Sequence, residues 1–305
     1  MHIPDGFLSS RVWAPLDAVA APAVAWLGRR AQRGFDHHKI PLMGVMGAFI
    51  FAVQMINFPV GSGTSGHLVG GALLSFTLGP AAAAIVMTSI LAIQALIFQD
   101  GGLLALGANV INMAIAGVLA GYLPFVLLRG SRAGVFLGGV LSLMTSAALA
   151  LGELSLSGVP MPRPVLVVSA GLFVVSALVE GAITVAVVGA LEKIQPGFLR
   201  TPAASGGPAA VALGAAAVVL GGAGVFAASE RPDGIESLAR TAGIWSRAGS
   251  LVQTPLADYR LGVGSLAGTW AGRTVAGLLG ILAVYVICRA AARILGMRKG
   301  AGAAE

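Results

Sequence analysis

Apolar runs of membrane-spanning length recur along nearly the whole of this 305-residue chain, and too little charge separates them for a water-soluble core. A helix needs about 20 apolar residues to cross a bilayer, where it pairs all its backbone polar groups internally. The segments that meet or approach this are Val12–Leu27, Ile40–Phe58, Gly66–Leu78, Ala81–Phe98, Leu103–Leu128, Ala133–Leu151, Val165–Leu191, Ala209–Ala228 and Gly268–Ile287. Only 10% of residues are charged, against roughly 25% in soluble domains. The 57% hydrophobic content equally excludes disorder. The expected class is all-α: a polytopic integral membrane protein of about nine transmembrane helices, seven in a body and two in an appendage. Two segments fit least well. The first carries Pro15, Asp17 and Pro22, and the third has 13 residues before Gly79-Pro80 ends it.

The formal charge of +7 is informative once sorted by loop. With the N-terminus outside and the C-terminus inside, the inner loops hold Arg29, Arg30, Arg33 and Lys39, then Arg129 and Arg132, then Lys193 and Arg200. The inner C-terminal tail adds Arg289, Arg293, Arg298 and Lys299, so twelve of the nineteen basic residues fall inside. That is the sense of the positive-inside rule, and it points to a multi-pass cell-membrane protein rather than a nucleic-acid binder. Met1–Ser10 has neither the basic start nor the apolar stretch of a cleaved signal peptide, so Met1 is expected to be the mature terminus.

Composition changes at residues 195–208 (QPGFLRTPAASGGP), which read as a cytoplasmic linker. The expected domains are therefore residues 1–194 and 209–305. The second includes an outer loop in which Glu230, Asp233, Glu236 and Asp258 offset Arg231, Arg240, Arg247 and Arg260. This loop reads as a balanced, solvated segment, with Pro232 placed to open a short helix. Gly44, Ala48 and Ala52 line one face of the second segment, suited either to docking a partner subunit or to packing within the chain.

The four histidines are His2, His37, His38 and His67. His37 and His38 stand beside Lys39 on the inner side and read as loop residues. His2 and His67 fall on the outer side. A free amine followed by His at position two is a chelator. The amine and the His2 amide nitrogen close a five-membered ring on a metal; that amide and imidazole Nδ1 close a six-membered one. Ni(II) and Cu(II) favour such tetragonal nitrogen sets, and His67 is the one outer-side imidazole available to complete the plane. The bulk of His2 should protect Met1 from removal. The single cysteine, Cys288, excludes both an intrachain disulfide and a thiolate metal site.

Met1-His2-Ile3-Pro4-Asp5-Gly6-Phe7-Leu8-Ser9 resembles the N-terminal signature of the CbiM/NikM family, the metal-capture S components of energy-coupling-factor cobalt and nickel importers. Three further stretches agree: residues 63–71 (GTSGHLVGG), 94–102 (QALIFQDGG) and 105–113 (ALGANVINM). The resemblance covers about residues 1–191. Residues 230–236 (ERPDGIE) resemble the motif of the small two-helix accessory component, with Ile235 where that family usually has Leu. The resemblance implies that the Met1 amine, the His2 amide and imidazole and the His67 imidazole hold the metal. It implies no cofactor beyond the transported Ni(II) or Co(II). The implied partners are a transmembrane coupling subunit and a pair of ABC-type ATPases. Independently, no Lys follows a Gly, so the chain has no GxxxxGK[ST] phosphate loop.

A 13-residue helix starting at Gly66 would rise only about 20 Å and leave His67 recessed. Met1–Phe7 would then dive inward as a plug over a nearly dry site. Two roles fit Asp5, Ser65, Asn109 and Asn112: fixing imidazoles and the N-terminal loop, or capping and helix–helix bonding. Glu180, an acid deep in a span, is expected to lie away from this site in a hydrogen-bonded structural role. Two other classes stand behind the S component. A stand-alone ion-coupled carrier would rest on Glu180 and Asp17; an intramembrane enzyme lacks HExxH and any further outer His or Cys.

Overall fold

Each of the nine apolar segments contains a helix, with limits set by prolines, glycines and short-range polar contacts. The computed structural model describes residues 1–33, 40–61, 63–199, 207–226, 228–229, 231–262 and 264–301, excepting the side chains of 225 and 296–301. His37, His38, Lys39, Arg200, Glu230 and linker residues 200–206 lie outside the described residues, as do the side chains of Arg298 and Lys299. The helices are α1 (Ser10–Arg33), α2 (Ile40–Gln54), α3 (Gly71–Leu78), α4 (Pro80–Ile93), α5 (Leu106–Asn109), α6 (Val118–Leu127), α7 (Arg132–Leu156), α8 (Arg163–Ile194), α9 (Pro208–Ala223), α10 (Gly234–Thr241) and α11 (Trp270–Ala301). Strands β1 (Phe58–Gly61) and β2 (Thr64–Gly66) form an antiparallel hairpin between α2 and α3.

Five helical stretches are long and apolar enough to cross a membrane: Pro80–Phe98, Leu106–Leu127, Arg132–Leu156, Arg163–Ile194 and Trp270–Leu295. Ile40–Gln54 and Pro208–Ala223 are apolar but shorter. The chain is a multi-pass membrane protein, and its outward-facing Leu123, Leu127, Val167, Val168, Leu178 and Leu282 present aliphatic surface suited to lipid. Helix α1 is different. It keeps Pro15 and Pro22 inside the helix, and its Asp17 carboxylate accepts a hydrogen bond from the Gly107 amide at 2.6 Å, tying α1 to α5.

Two boundaries beside the site depart from the sequence expectation. The second segment stops being helical at Gln54 rather than Phe58, because Pro59 disfavours helix at Phe58 and the chain turns into β1. The third begins at Gly71 rather than Gly66. Thr64–Gly66 pairs with β1, and Gly70 takes φ +76°, a left-handed conformation that a glycine adopts without strain. What remains is an eight-residue helix, fully buried and only about 12 Å long at 1.5 Å per residue. His67 is thus recessed by an inward-folded extended segment, not by a short helix that starts above it.

Helices α9 and α11 pack on α2, so the C-terminal part is not a loose appendage. Gly44 abuts Tyr285, Gly47 abuts Cys288, and Ala48 and Ala52 are buried. The small-residue face of α2 is therefore covered within the chain. The outer loop also departs from a solvated reading: α10 buries Ile235, Leu238 and Ala239, and Gly234 lies against Phe173 of α8. It opens at Asp233, whose side chain caps it, one residue after Pro232.

Candidate metal-capture site

The N-terminal residues Met1, His2, Ile3, Asp5 and Phe7 are buried, although they form no regular element of their own. Hydrogen bonds from the loop after α4 and from α5 hold them in place. Asn109 clasps the Ile3 backbone from both sides: its Oδ1 accepts from the Ile3 amide at 2.9 Å and its Nδ2 donates to the Ile3 carbonyl at 3.1 Å. The Gly102 amide donates to the same carbonyl at 2.9 Å. The Asp5 carboxylate accepts from the Leu103 and Leu104 amides at 3.0 and 2.8 Å. Gly6, at φ +88°, passes so close to the Arg247 carbonyl that any Cβ would overlap it. Asn109 leads into a π-helical stretch, Val110–Gly117, a local widening that often marks functional positions.

This clasp places three nitrogen-bearing groups together. The Met1 amine lies within hydrogen-bonding reach of His67 Nε2, and the His2 and His67 rings stack with centroids 5.4 Å apart and planes 9° from parallel. His67 Nδ1 faces the Leu68 carbonyl at 3.2 Å. With Nδ1–H donating there, Nε2 presents its lone pair to the amine. In that tautomer the imidazole is neutral and its Nε2 lone pair can bind a cation. Among the described residues no three His, Cys, Asp or Glu side chains are already arranged as a metal site by themselves.

Two carboxylates flank the nitrogens. Asp100 Oδ1 lies 2.9 Å from His2 Nδ1, while its Oδ2 accepts from the Tyr259 hydroxyl at 2.6 Å. Burial works against its charge, yet His2 and the Tyr259 hydrogen bond hold the Asp100 carboxyl well below the usual range. Tyr259 stacks on Phe98 at 4.7 Å, and both Asp258 and Tyr259 adopt left-handed backbone conformations to bring it there. Asp233 Oδ2 lies 2.5 Å from the Met1 amine and 3.9 Å from His67 Nε2. Burial would raise the Asp233 carboxyl, but the adjacent ammonium brings it below the usual range. The surrounding cavity measures about 480 Å³ and is closed partly by Trp245, Gly249 and Tyr259 of the outer loop.

Glu180 lies closer to the site than the spacing of the spans implies. Its carboxylate accepts from the Val69 and Gly70 amides at 2.8 and 2.9 Å, two and three residues beyond His67. The role is structural: it satisfies the donors of a segment that turns away from its hairpin inside the membrane. Gln54 adds a second restraint, donating to the Val69 carbonyl at 2.7 Å while accepting from Gln94 at 2.9 Å. Glu180→Leu strands two buried amides at about 1–3 kcal/mol each. Thermal unfolding in detergent should show a clear drop in stability, smaller for Glu180→Gln; an unchanged midpoint in both variants contradicts the restraint.

The structure brings Met1, His2 and His67 together and sets Asn109 and Asp5 as holders of the N-terminal loop. Ser65 faces the outer loop instead: its Oγ donates to the Arg231 carbonyl at 2.7 Å and its amide to the Pro232 carbonyl at 2.9 Å. Asn112 sits between helices, donating to Glu153 at 2.8 Å and accepting from Ser146 through its carbonyl at 2.9 Å. Sequence reasoning passed over Asp100, Asp233 and Tyr259. Asp100 stands in the QDGG stretch, read only as part of a motif, and Asp233 in the ERPDGIE stretch, balanced against arginines rather than against an amine.

Known proteins resemble this chain over most of its length. A family model described as "Cobalt uptake substrate-specific transmembrane region" matches residues 2–198, and one described as "PDGLE domain" matches residues 208–297. A putative fused nickel transport protein, NikMN, of Archaeoglobus fulgidus is 36% identical over 297 residues, covering 94% of this chain and 96% of that protein. The cobalt transport protein CbiM of Geobacter sulfurreducens is 34% identical, with 89% and 87% covered. A crystal structure of a truncated transition metal transporter superposes with a TM-score of 0.56 at 34% identity, covering 63% of this chain and 99% of that one.

Proposed function

Because the chain belongs to the cobalt uptake substrate-specific transmembrane family, whose members transport metal rather than catalyse a reaction, we propose that it is the substrate-binding membrane subunit of an energy-coupling-factor importer for Ni(II) or Co(II). It captures the ion on the outer side through the Met1 amine, the His2 amide and imidazole, and His67. It releases the ion inward when a transmembrane coupling subunit and a pair of ABC-type ATPases drive it, having no ATPase of its own. Residues 1–194 carry the capture site and residues 209–305 close it, joined by a cytoplasmic linker at 195–208. One observation carries this reading: the terminal amine is buried against His67 Nε2 beneath a stacked His2.

The chemistry follows from that contact. A cation at the amine displaces the ammonium proton, and the His2 amide gives up its proton to close two chelate rings. His2 Nδ1 faces Asp100 in the structure, while Nε2 is buried with no hydrogen-bond partner among the described residues. Turning the ring about its Cβ–Cγ bond presents Nδ1 to the cation and lets Nε2–H donate to Asp100. That exchange partners the orphaned nitrogen and gives the bound imidazole a carboxylate acceptor, a common arrangement for metal-ligating histidine.

A stand-alone carrier draws little support from the acids it would need. Glu180 is committed to two backbone amides and Asp17 to one. Vesicles reconstituted with the chain alone should bind Ni(II) or Co(II) without accumulating it. Accumulation should appear when the coupling subunit, the ATPases and ATP are present. Sustained uphill uptake by the chain alone overturns the partner-driven reading.

A further inference from the structure

We infer that Asp233, supplied by the second part of the chain, is an oxygen ligand of the transported cation, facing the nitrogen set across the Met1 amine. The inference rests on the capture site proposed above and adds a donor from 232 residues away in sequence. The two Asp233 oxygens have separate tasks. Oδ1 accepts from the Glu236 amide at 2.8 Å and caps α10, which anchors the side chain. Oδ2 points into the site, 2.5 Å from the amine and 3.9 Å from His67 Nε2. The main chain just before it is fixed as well, since Ser65 bonds the Arg231 and Pro232 carbonyls.

Charge then determines what Oδ2 must meet. With the amine protonated, ammonium and carboxylate cancel. A divalent ion that displaces the ammonium proton takes that partner away from a carboxylate only 14% exposed. A buried carboxylate left without a counter-charge is strongly unfavourable. The cation bound to the same nitrogen is the replacement partner within reach. With Asp100 counted and His2 neutral, the site carries one net negative charge with the ammonium in place, and the same net charge with the ion bound to the amine, the deprotonated His2 amide and Asp233, so the exchange leaves the local charge unchanged. A carboxylate oxygen suits Co(II) and Ni(II) in higher-coordinate geometry.

The test compares the full-length chain with its Asp233→Asn variant, which retains an oxygen able to cap α10. Binding of Co(II) and Ni(II) is followed by titration and by the infrared difference spectrum that each ion induces. The native chain should show a metal-induced shift of a carboxylate stretching band. In Asp233→Asn that shift should be lost and the affinity should fall at least about tenfold. Asp233→Glu, which restores a carboxylate, should recover part of the shift. Native affinity together with an unchanged carboxylate shift in Asp233→Asn overturns the ligand assignment and leaves the nitrogen site standing. A native chain that binds neither ion overturns the nitrogen site and the Asp233 assignment together.

Discussion

Adding one residue ahead of Met1 should lower the affinity of the chain for Ni(II) on the order of 10³-fold, the scale at which linked donors lose their advantage. That is about 4 kcal/mol at about 1.4 kcal/mol per tenfold step. Extension turns the amine into an amide, so the five-membered chelate ring and its strongest donor go together. It also forces an extra residue into a position where the amine already contacts His67 and Asp233. The outer parts of the site need not change, because Asn109 and Asp5 hold the backbone from Ile3 onward. Titration of detergent-purified native and extended protein is the check. Equal affinities would falsify an amine ligand, whatever else binds.

His67→Ala should cost about 10²- to 10³-fold in affinity. The chelate from Met1 and His2 survives this change, so the loss reports chiefly on the His67 nitrogen. The variant also removes the ring on which His2 stacks, and it leaves the amine with Asp233 as its only close partner among the contacts described. His67→Gln serves as a control for packing. It fills much of the volume and offers a weak oxygen donor in place of imidazole nitrogen. Both variants should keep native thermal stability to within about 2 kcal/mol, since the His67 side chain accepts little of the load carried by Glu180 and Gln54. Tight Ni(II) binding by His67→Ala would mean that another group completes the set.

Much of this was readable in the residues, and the misses have physical causes. Apolar runs report helices directly, because a bilayer leaves the backbone no alternative. His2 and His67 stood out because imidazoles are scarce here and two of the four fall on one side. The start of α3 was misread because Gly66–Leu78 is a largely apolar run, and periodicity cannot register that Thr64–Gly66 pairs with β1. Glu180 was placed too far away for the same reason: a folded-back segment meets α8 at a depth that no count along a straight helix reveals. Asp233 escaped because charges were balanced side chain against side chain. Its partner, the amine of Met1, belongs to no side chain.

The contact between residues 1 and 233 also sets an order of events in the making of the protein. Met1 is held in place by residues 231–259, which are made after it and after most of the apolar helices. Throughout that interval the amine is accessible to the enzymes that trim or modify new chains; afterwards it is closed off. If the proposed site is correct, a terminus blocked before the outer loop folds would leave a membrane protein whose amine cannot serve as a ligand.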